Sequence, residues 1–150
     1  MRIKELGHVV LYVSDLKRSV HFYRDILGFP EVGNMDLGES GAAAFSSGRT
    51  HHELMLIGIG GKPREKHVPE PGLYHIGFKI GDSHEDIVRA YRELEEKGIA
   101  LEGSSDHTVT HSLYIRDPDG NEIELYADVS DEWKGNPMAV LSPIKPLSLE

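Results

Sequence analysis

Residues 7–13, GHVVLYV, and residues 74–80, YHIGFKI, decide the fold. In the first stretch Val9, Leu11 and Val13 alternate with His8, Val10 and Tyr12; in the second Ile76, Phe78 and Ile80 alternate with His75, Gly77 and Lys79. A period of two marks a strand, with one parity facing a core and the other facing away. Each strand runs into a helix. Asp15 is placed to cap the first, which carries Leu16, Val20, Tyr23 and Leu27 at helical spacing and ends at Gly28. Asp82 or Ser83 caps the second, which carries Ile87, Tyr91 and Leu94 and closes at Gly98. The two units superpose at a displacement of 67 residues (75 − 8), with His8 on His75, Val13 on Ile80, Asp15 on Asp82 and Val20 on Ile87.

Working outward, short β-type segments follow each helix. They lie around 29–32, 42–46 and 53–59 in the first half, and around 101–102, 110–116 and 122–127 in the second. Each half therefore reads βαβββ. A glycine-, proline- and charge-rich stretch at about 61–72 separates module one (about 5–60) from module two (about 73–128). Residues 129–150 form a tail with Trp133, Pro137, Pro143 and Pro146, ordered by packing on the body at a place its sequence does not name. The expectation is one α+β domain over 1–150, built from two tandem modules.

The bulk numbers narrow the chemistry. A net charge of −9 argues against a nucleic-acid partner, which requires a basic surface. The absence of cysteine excludes disulfides, thiolate metal sites and cysteine nucleophiles, leaving nine histidines as the pH-range acids, bases and nitrogen ligands. The charged N-terminus and the lack of a long apolar run point to a cytoplasmic protein with no membrane partner.

Parity gives the candidate site. With Val9, Leu11, Val13 and Ile76, Phe78, Ile80 packed under the helices, His8 and His75 point to the other face. In the last strand Ile123 and Leu125 are the helix-facing pair, so Glu122, Glu124 and Tyr126 share the histidines' face. Two imidazoles and a carboxylate meeting there would suit a divalent metal with open positions. Periodicity alone does not bring the three together.

From His8 through Tyr126 the chain resembles the vicinal oxygen chelate superfamily. The residues that carry the resemblance are GHVVLYVSDLKRSVHFYRDILGF (7–29), LYHIGFKI (73–80) and RDPDGNEIELY (116–126). The resemblance implies paired βαβββ modules forming a half-open mixed β-barrel around one metal, held by His8, His75 and Glu124. It also implies a homodimer. The Asp117–Gly120 turn is a hairpin signal in its own right, and within the family's pattern it sets the register of Glu124.

Two enzyme classes and one binding class compete within that superfamily. Glyoxalase I-like lyases and isomerases carry a fourth ligand on the last strand of the first module. Aligning Leu56 with Glu124 (124 − 56 = 68) agrees better with the 67-residue repeat than aligning Glu53 does (124 − 53 = 71). On that register the fourth place is leucine, Met55 and Ile57 face the helix, and His52 and Leu54 face the interior. The segment His51-His52-Glu53-Leu54-Met55-Leu56, with Asp106-His107 and Tyr114, resembles the small extradiol ring-cleaving dioxygenases. That resemblance implies an Fe(II) enzyme, with Mn(II), Zn(II) or Ni(II) as substitutes, acting on an aromatic diol and dioxygen. It makes His52 the acid–base and has His107 and Tyr114 hold the substrate oxygens. His111, four residues after His107, competes with it for the site. His21, His67 and His84 read as solvated. Metal-free drug-binding relatives of the bleomycin-resistance type are the third reading, disfavoured by the full His/His/Glu set.

Overall fold

Asp15 opens the first helix as its side chain allows. Its backbone is extended (φ −140°, ψ 106°) and its carboxylate accepts the Arg18 N–H at 3.0 Å, satisfying one of the donors a helix start leaves free. This cap belongs to a computed structural model that describes residues 1–36, 40–63 and 71–150. The helix, α1 (Leu16–Val20), continues as a wider π-helical segment over His21–Ile26. Gly28 (φ +72°) then lets the chain turn out through the left-handed region. Around α1 stand β1 (Val9–Val13), β2 (Glu31–Met35), β3 (Ala42–Phe45) and β4 (Leu54–Gly58), in the order β1-β4-β3-β2. The β1–β4 pair is parallel and the others antiparallel. Leu11, Val13, Leu16, Val20, Tyr23, Phe45, Leu54 and Leu56 are buried, whereas Val10 and Tyr12 are exposed, as the alternation of β1 requires.

Contacts divide the chain into two compact units, and the first, residues 1–67, includes the turn Asp117–Gly120. There the buried Tyr23 hydroxyl donates to Asp117 at 2.8 Å. Asp119 accepts the Ser14 N–H at 3.2 Å and the Ser14 hydroxyl. The Asp-Pro-Asp-Gly turn thus contributes two buried carboxylates to unit 1 as well as a chain reversal.

The second unit repeats the plan. It contains β5 (His75–Gly81), α2 (His84–Glu96), β6 (Gly103–Asp106), β7 (Thr110–Arg116) and β8 (Glu122–Asp128), in the order β5-β8-β7-β6. Ser83, not Asp82, is the N-cap, in a reciprocal capping box with Asp86. The tail contributes α3 (Glu132–Gly135) and a 3₁₀ turn (Pro137–Leu141). It then docks by a two-way backbone bridge between Lys145 and Asp106, at 2.9 and 3.0 Å. Two βαβββ modules, each with a four-stranded mixed sheet, make the fold class α+β as read from the sequence.

The repeat itself needs a correction. Lys79 pairs with Tyr126 and Gly81 with Ala127, so Ile80 is an extra residue bulged out of the ladder. The displacement of 67 holds only as far as Tyr12/Lys79. Beyond the bulge Val13 corresponds to Gly81 and Asp15 to Ser83, and Ile80 is 37% exposed rather than packed under α2. Gly81 is required there, because a Cβ would run into the Asp86 carboxylate of the capping box. Residues 64–70 of the expected linker, His67 among them, lie outside the described residues. Among the described residues, no helix is long and apolar enough to cross a membrane.

Candidate functional site

β8 builds the richer part of the site. Its register sets Glu122 beside His75, Glu124 beside Gly77 and, on the other side, Glu124 beside Tyr114 of β7. Ile123 and Leu125 are buried under α2, so Glu124 and Tyr126 take the opposite face. Four of the residues singled out in the sequence join there in one chain. His107 Nε2 lies 2.8 Å from the Tyr114 hydroxyl, which donates to Glu124 Oε1 at 3.2 Å. Glu124 Oε2 lies 3.1 Å from His75 Nε2. Burial, reinforced by the Glu124 charge, pushes the Tyr114 phenol up to about 12. It therefore stays protonated near neutral pH and acts as a donor.

Backbone sends His107 and His111 to different neighbours. Thr108 has φ +73°, a conformation a β-branched residue rarely adopts, and its N–H is held by Asp106 Oδ1 at 2.6 Å. This turn swings His107 onto the Tyr114 side. His111 shares parity with the buried Leu113 and meets His84 of α2, Nδ1 to Nδ1, at 3.0 Å. His84 is thus not simply solvated as expected. His21 is exposed at the start of the π-helical segment and paired with Asp25 at 2.8 Å.

Unit 1 holds the other two candidates together. His8 is exposed and stands one residue before β1. It is bracketed by Gly7, whose carbonyl accepts from Arg49 at 3.2 Å, and Val9, whose N–H donates to Glu53 O at 2.9 Å. That tether sets the His8 ring 4.4 Å from the His52 ring, centroid to centroid. His51 Nδ1 in turn lies 2.6 Å from His52 Nδ1. Burial, with His8 and His51 alongside, lowers the His52 pKa below its ordinary value.

The register of β4 corrects the fourth-ligand argument. Val10 pairs with Met55 as Gly77 pairs with Glu124, so the counterpart of Glu124 is Met55, not Leu56. Leu54 and Leu56 are 1% and 0% exposed, in the core rather than on the site face; Met55 and Ile57 take that face. Glu53 is engaged elsewhere. Burial opposes its ionisation, but hydrogen bonds from the Ser47 N–H (2.6 Å) and hydroxyl (2.7 Å) and from Arg49 (3.0 Å) prevail and hold its pKa below the usual value. Sequence reasoning missed Met55, the Thr108 turn and the clamp on Glu122 described below. For Glu122 the signal was present, in the parity it shares with Glu124.

Two of the expected donors, an imidazole and a carboxylate, stand at the spacing a divalent metal requires. Two ligands each about 2.1 Å from an ion, at roughly a right angle, stand about 3 Å apart. The 3.1 Å between His75 Nε2 and Glu124 Oε2 matches that spacing. Among the described residues, no three His, Asp or Glu side chains are drawn together closely enough to hold an ion as they stand.

The chain is similar to known proteins. The sequence model of the Glyoxalase/Bleomycin resistance protein/Dioxygenase superfamily matches residues 5–125. A catechol-2,3-dioxygenase of Bacillus subtilis is 36% identical over 126 residues, covering 82% of this chain and 41% of that protein. A biphenyl-2,3-diol 1,2-dioxygenase of Rhodococcus globerulus is 36% identical over 125 residues, covering 82% of this chain and 63% of that one. The chain thus spans about half the length of these curated relatives. Among solved structures, a glyoxalase/dioxygenase from Nostoc punctiforme aligns with a TM-score of 0.65 at 25% identity, over 85% of this chain and 92% of that one.

Proposed function

The chain belongs to the Glyoxalase/Bleomycin resistance protein/Dioxygenase superfamily, and on that premise we propose that it is an Fe(II)-dependent extradiol dioxygenase that opens a catechol-type ring with dioxygen. The observation that carries this reading is the chain His107–Tyr114–Glu124–His75. It links two residues suited to holding phenolic oxygens to two suited to holding a metal. Relatives named for catechol and biphenyl-diol cleavage support the same choice.

In this reading His8, His75 and Glu124 hold the ion. When bound, the ion supplies Lewis acidity toward a diol's oxygens and an electron path to dioxygen. The protein's own groups do the rest. His52, neutral because its pKa is lowered, takes a proton from a catechol hydroxyl and returns it to the product. Tyr114, held protonated, donates to a substrate oxygen as charge builds there, and His107 keeps the phenol oriented. Both atoms of dioxygen enter the ring-opened product, so no external reductant is needed. Met55 at the counterpart of Glu124 disfavours the glyoxalase reading, since an uncharged, soft thioether is a poor replacement for a carboxylate ligand on a borderline divalent ion.

The test is anaerobic loading with Fe(II), then oxygen and a panel of catechols, watching for the yellow ring-opened product. Turnover in the wild type, cut about a hundredfold or more in His52→Ala with iron content unchanged, is expected. No consumption of any catechol by the iron-loaded protein would refute the dioxygenase reading.

A further inference from the structure

Among the described residues, three buried side-chain polar atoms of unit 2 have no hydrogen-bond partner, and two of them, His75 Nδ1 and Glu122 Oε1, face each other 3.6 Å apart. Leaving such atoms unpaired is costly, so a pair of them in opposition needs an explanation. Glu122 is 7% exposed and is the register neighbour of His75 across the parallel β5–β8 pair. It is also clamped from the other side. Its Oε2 accepts from Arg116 at 3.1 Å, and the Tyr74 hydroxyl bonds to the same carboxylate. Arg116 compensates the buried charge, and the clamp leaves Oε1 aimed at the imidazole.

We propose that Glu122 is a positioning residue that holds the proton of His75 on Nδ1 and so presents Nε2 as the metal-binding nitrogen. This rests on the reading of His75 as a ligand. A neutral imidazole carries one N–H and one lone pair, and only the lone pair binds a metal. With an ion held between Nε2 and Glu124 Oε2, Nε2 would give up its lone pair, so the proton belongs on Nδ1 and Glu122 Oε1 is its acceptor. Closing 3.6 Å to hydrogen-bond length takes a shift of about 0.6 Å. The carboxylate then fixes the ring's orientation and makes Nε2 the stronger donor. Glu122 is not itself the ligand. Its side chain is 9% exposed against 15% for Glu124, it is already neutralised by Arg116, and it lies on the Nδ1 side of the ring.

The isosteric variant Glu122→Gln keeps the shape of the side chain while removing its charge. Binding of Mn(II) alone, followed by the electron paramagnetic resonance signal of the free ion, is compared in wild type, Glu122→Gln and His75→Ala. Weakening of about tenfold to a hundredfold is expected in Glu122→Gln, the range seen when outer partners of ligating histidines are changed. In the Zn(II)-loaded proteins the His75 Nδ1 proton, seen by long-range ¹H–¹⁵N correlation, is expected at low field and slowly exchanging in the wild type. In Glu122→Gln it should move upfield and exchange faster. Affinity within about twofold of wild type overturns the proposal, as does weakened binding with an unmoved Nδ1 proton, which reports a structural role only. Undiminished Mn(II) binding in His75→Ala instead removes the ligand reading beneath it. Loss in His75→Ala with none in Glu122→Gln leaves that reading standing and the positioning role refuted.

Discussion

The two modules agree on one face of their sheets and differ on the other. On the helix-facing side, Leu11, Leu56 and Ala43 stand in register in unit 1, and Phe78, Leu125 and Leu113 stand in the same places in unit 2. On the opposite face, the row Gly77–Glu124–Tyr114 of unit 2 corresponds to Val10–Met55–Ala44 of unit 1. One row carries a carboxylate and a phenol; the other is apolar. Burial constrains the first face in both modules, because any polar atom there would need a partner. On the second face Met55, Glu124 and Tyr114 are only partly buried, and unit 2 uses that face to build a hydrogen-bonded site. The single residue bulged at Ile80 lets unit 2 keep both its sheet register and its capping box.

If the helix-facing rows are equivalent, matched truncations should cost alike. Leu56→Ala and Leu125→Ala, at 0% and 5% exposure, are each expected to lose about 2–5 kcal/mol in urea unfolding. A loss below about 1 kcal/mol at either position would break the equivalence.

The opposite rows should respond unequally. Tyr114→Phe removes the hydroxyl between His107 and Glu124 and is expected to cut catechol turnover about a hundredfold, roughly 2.7 kcal/mol. Ala44→Ser, at the matching place in unit 1, is expected to leave the rate within about twofold. Equal losses from both would show that the polar row has no special role.

These contrasts were only partly legible in the sequence. The alternation in 7–13, the cap at Asp15 and the parity of Ile123, Glu124 and Leu125 each follow from local chemistry, and the structure agrees with them. The place of Met55 was not legible. Leu54-Met55-Leu56-Ile57 is apolar at both parities, so no pattern says which side faces the helix; only the pairing with β1 does. The bulge was hidden for a similar reason, since Lys79-Ile80-Gly81 continues a regular alternation through the residue that breaks it. His107 could not be preferred to His111 while the left-handed turn at Thr108 was unseen.

The smallest expected effect concerns pH. Burial lowers the His111 pKa below its ordinary value; Asp106 works against this and His84 with it. As pH falls, the unfolded chain takes up this proton first. The stability contributed by neutral His111 is therefore full above about pH 6.5 and is lost as pH drops through the lower folded value. His111→Asn should flatten the fall in unfolding midpoint over that range. An unchanged slope would show that His111 is not a source of the acid sensitivity.

The difference between the two modules is tested most directly by iron content after anaerobic loading with Fe(II) and removal of excess, in wild type, Met55→Ala and Glu124→Ala. About one Fe(II) per chain is expected in the wild type and in Met55→Ala, and almost none in Glu124→Ala. Full iron in Glu124→Ala, or its loss in Met55→Ala, would contradict the assignment of the metal chemistry to the polar row of the second module.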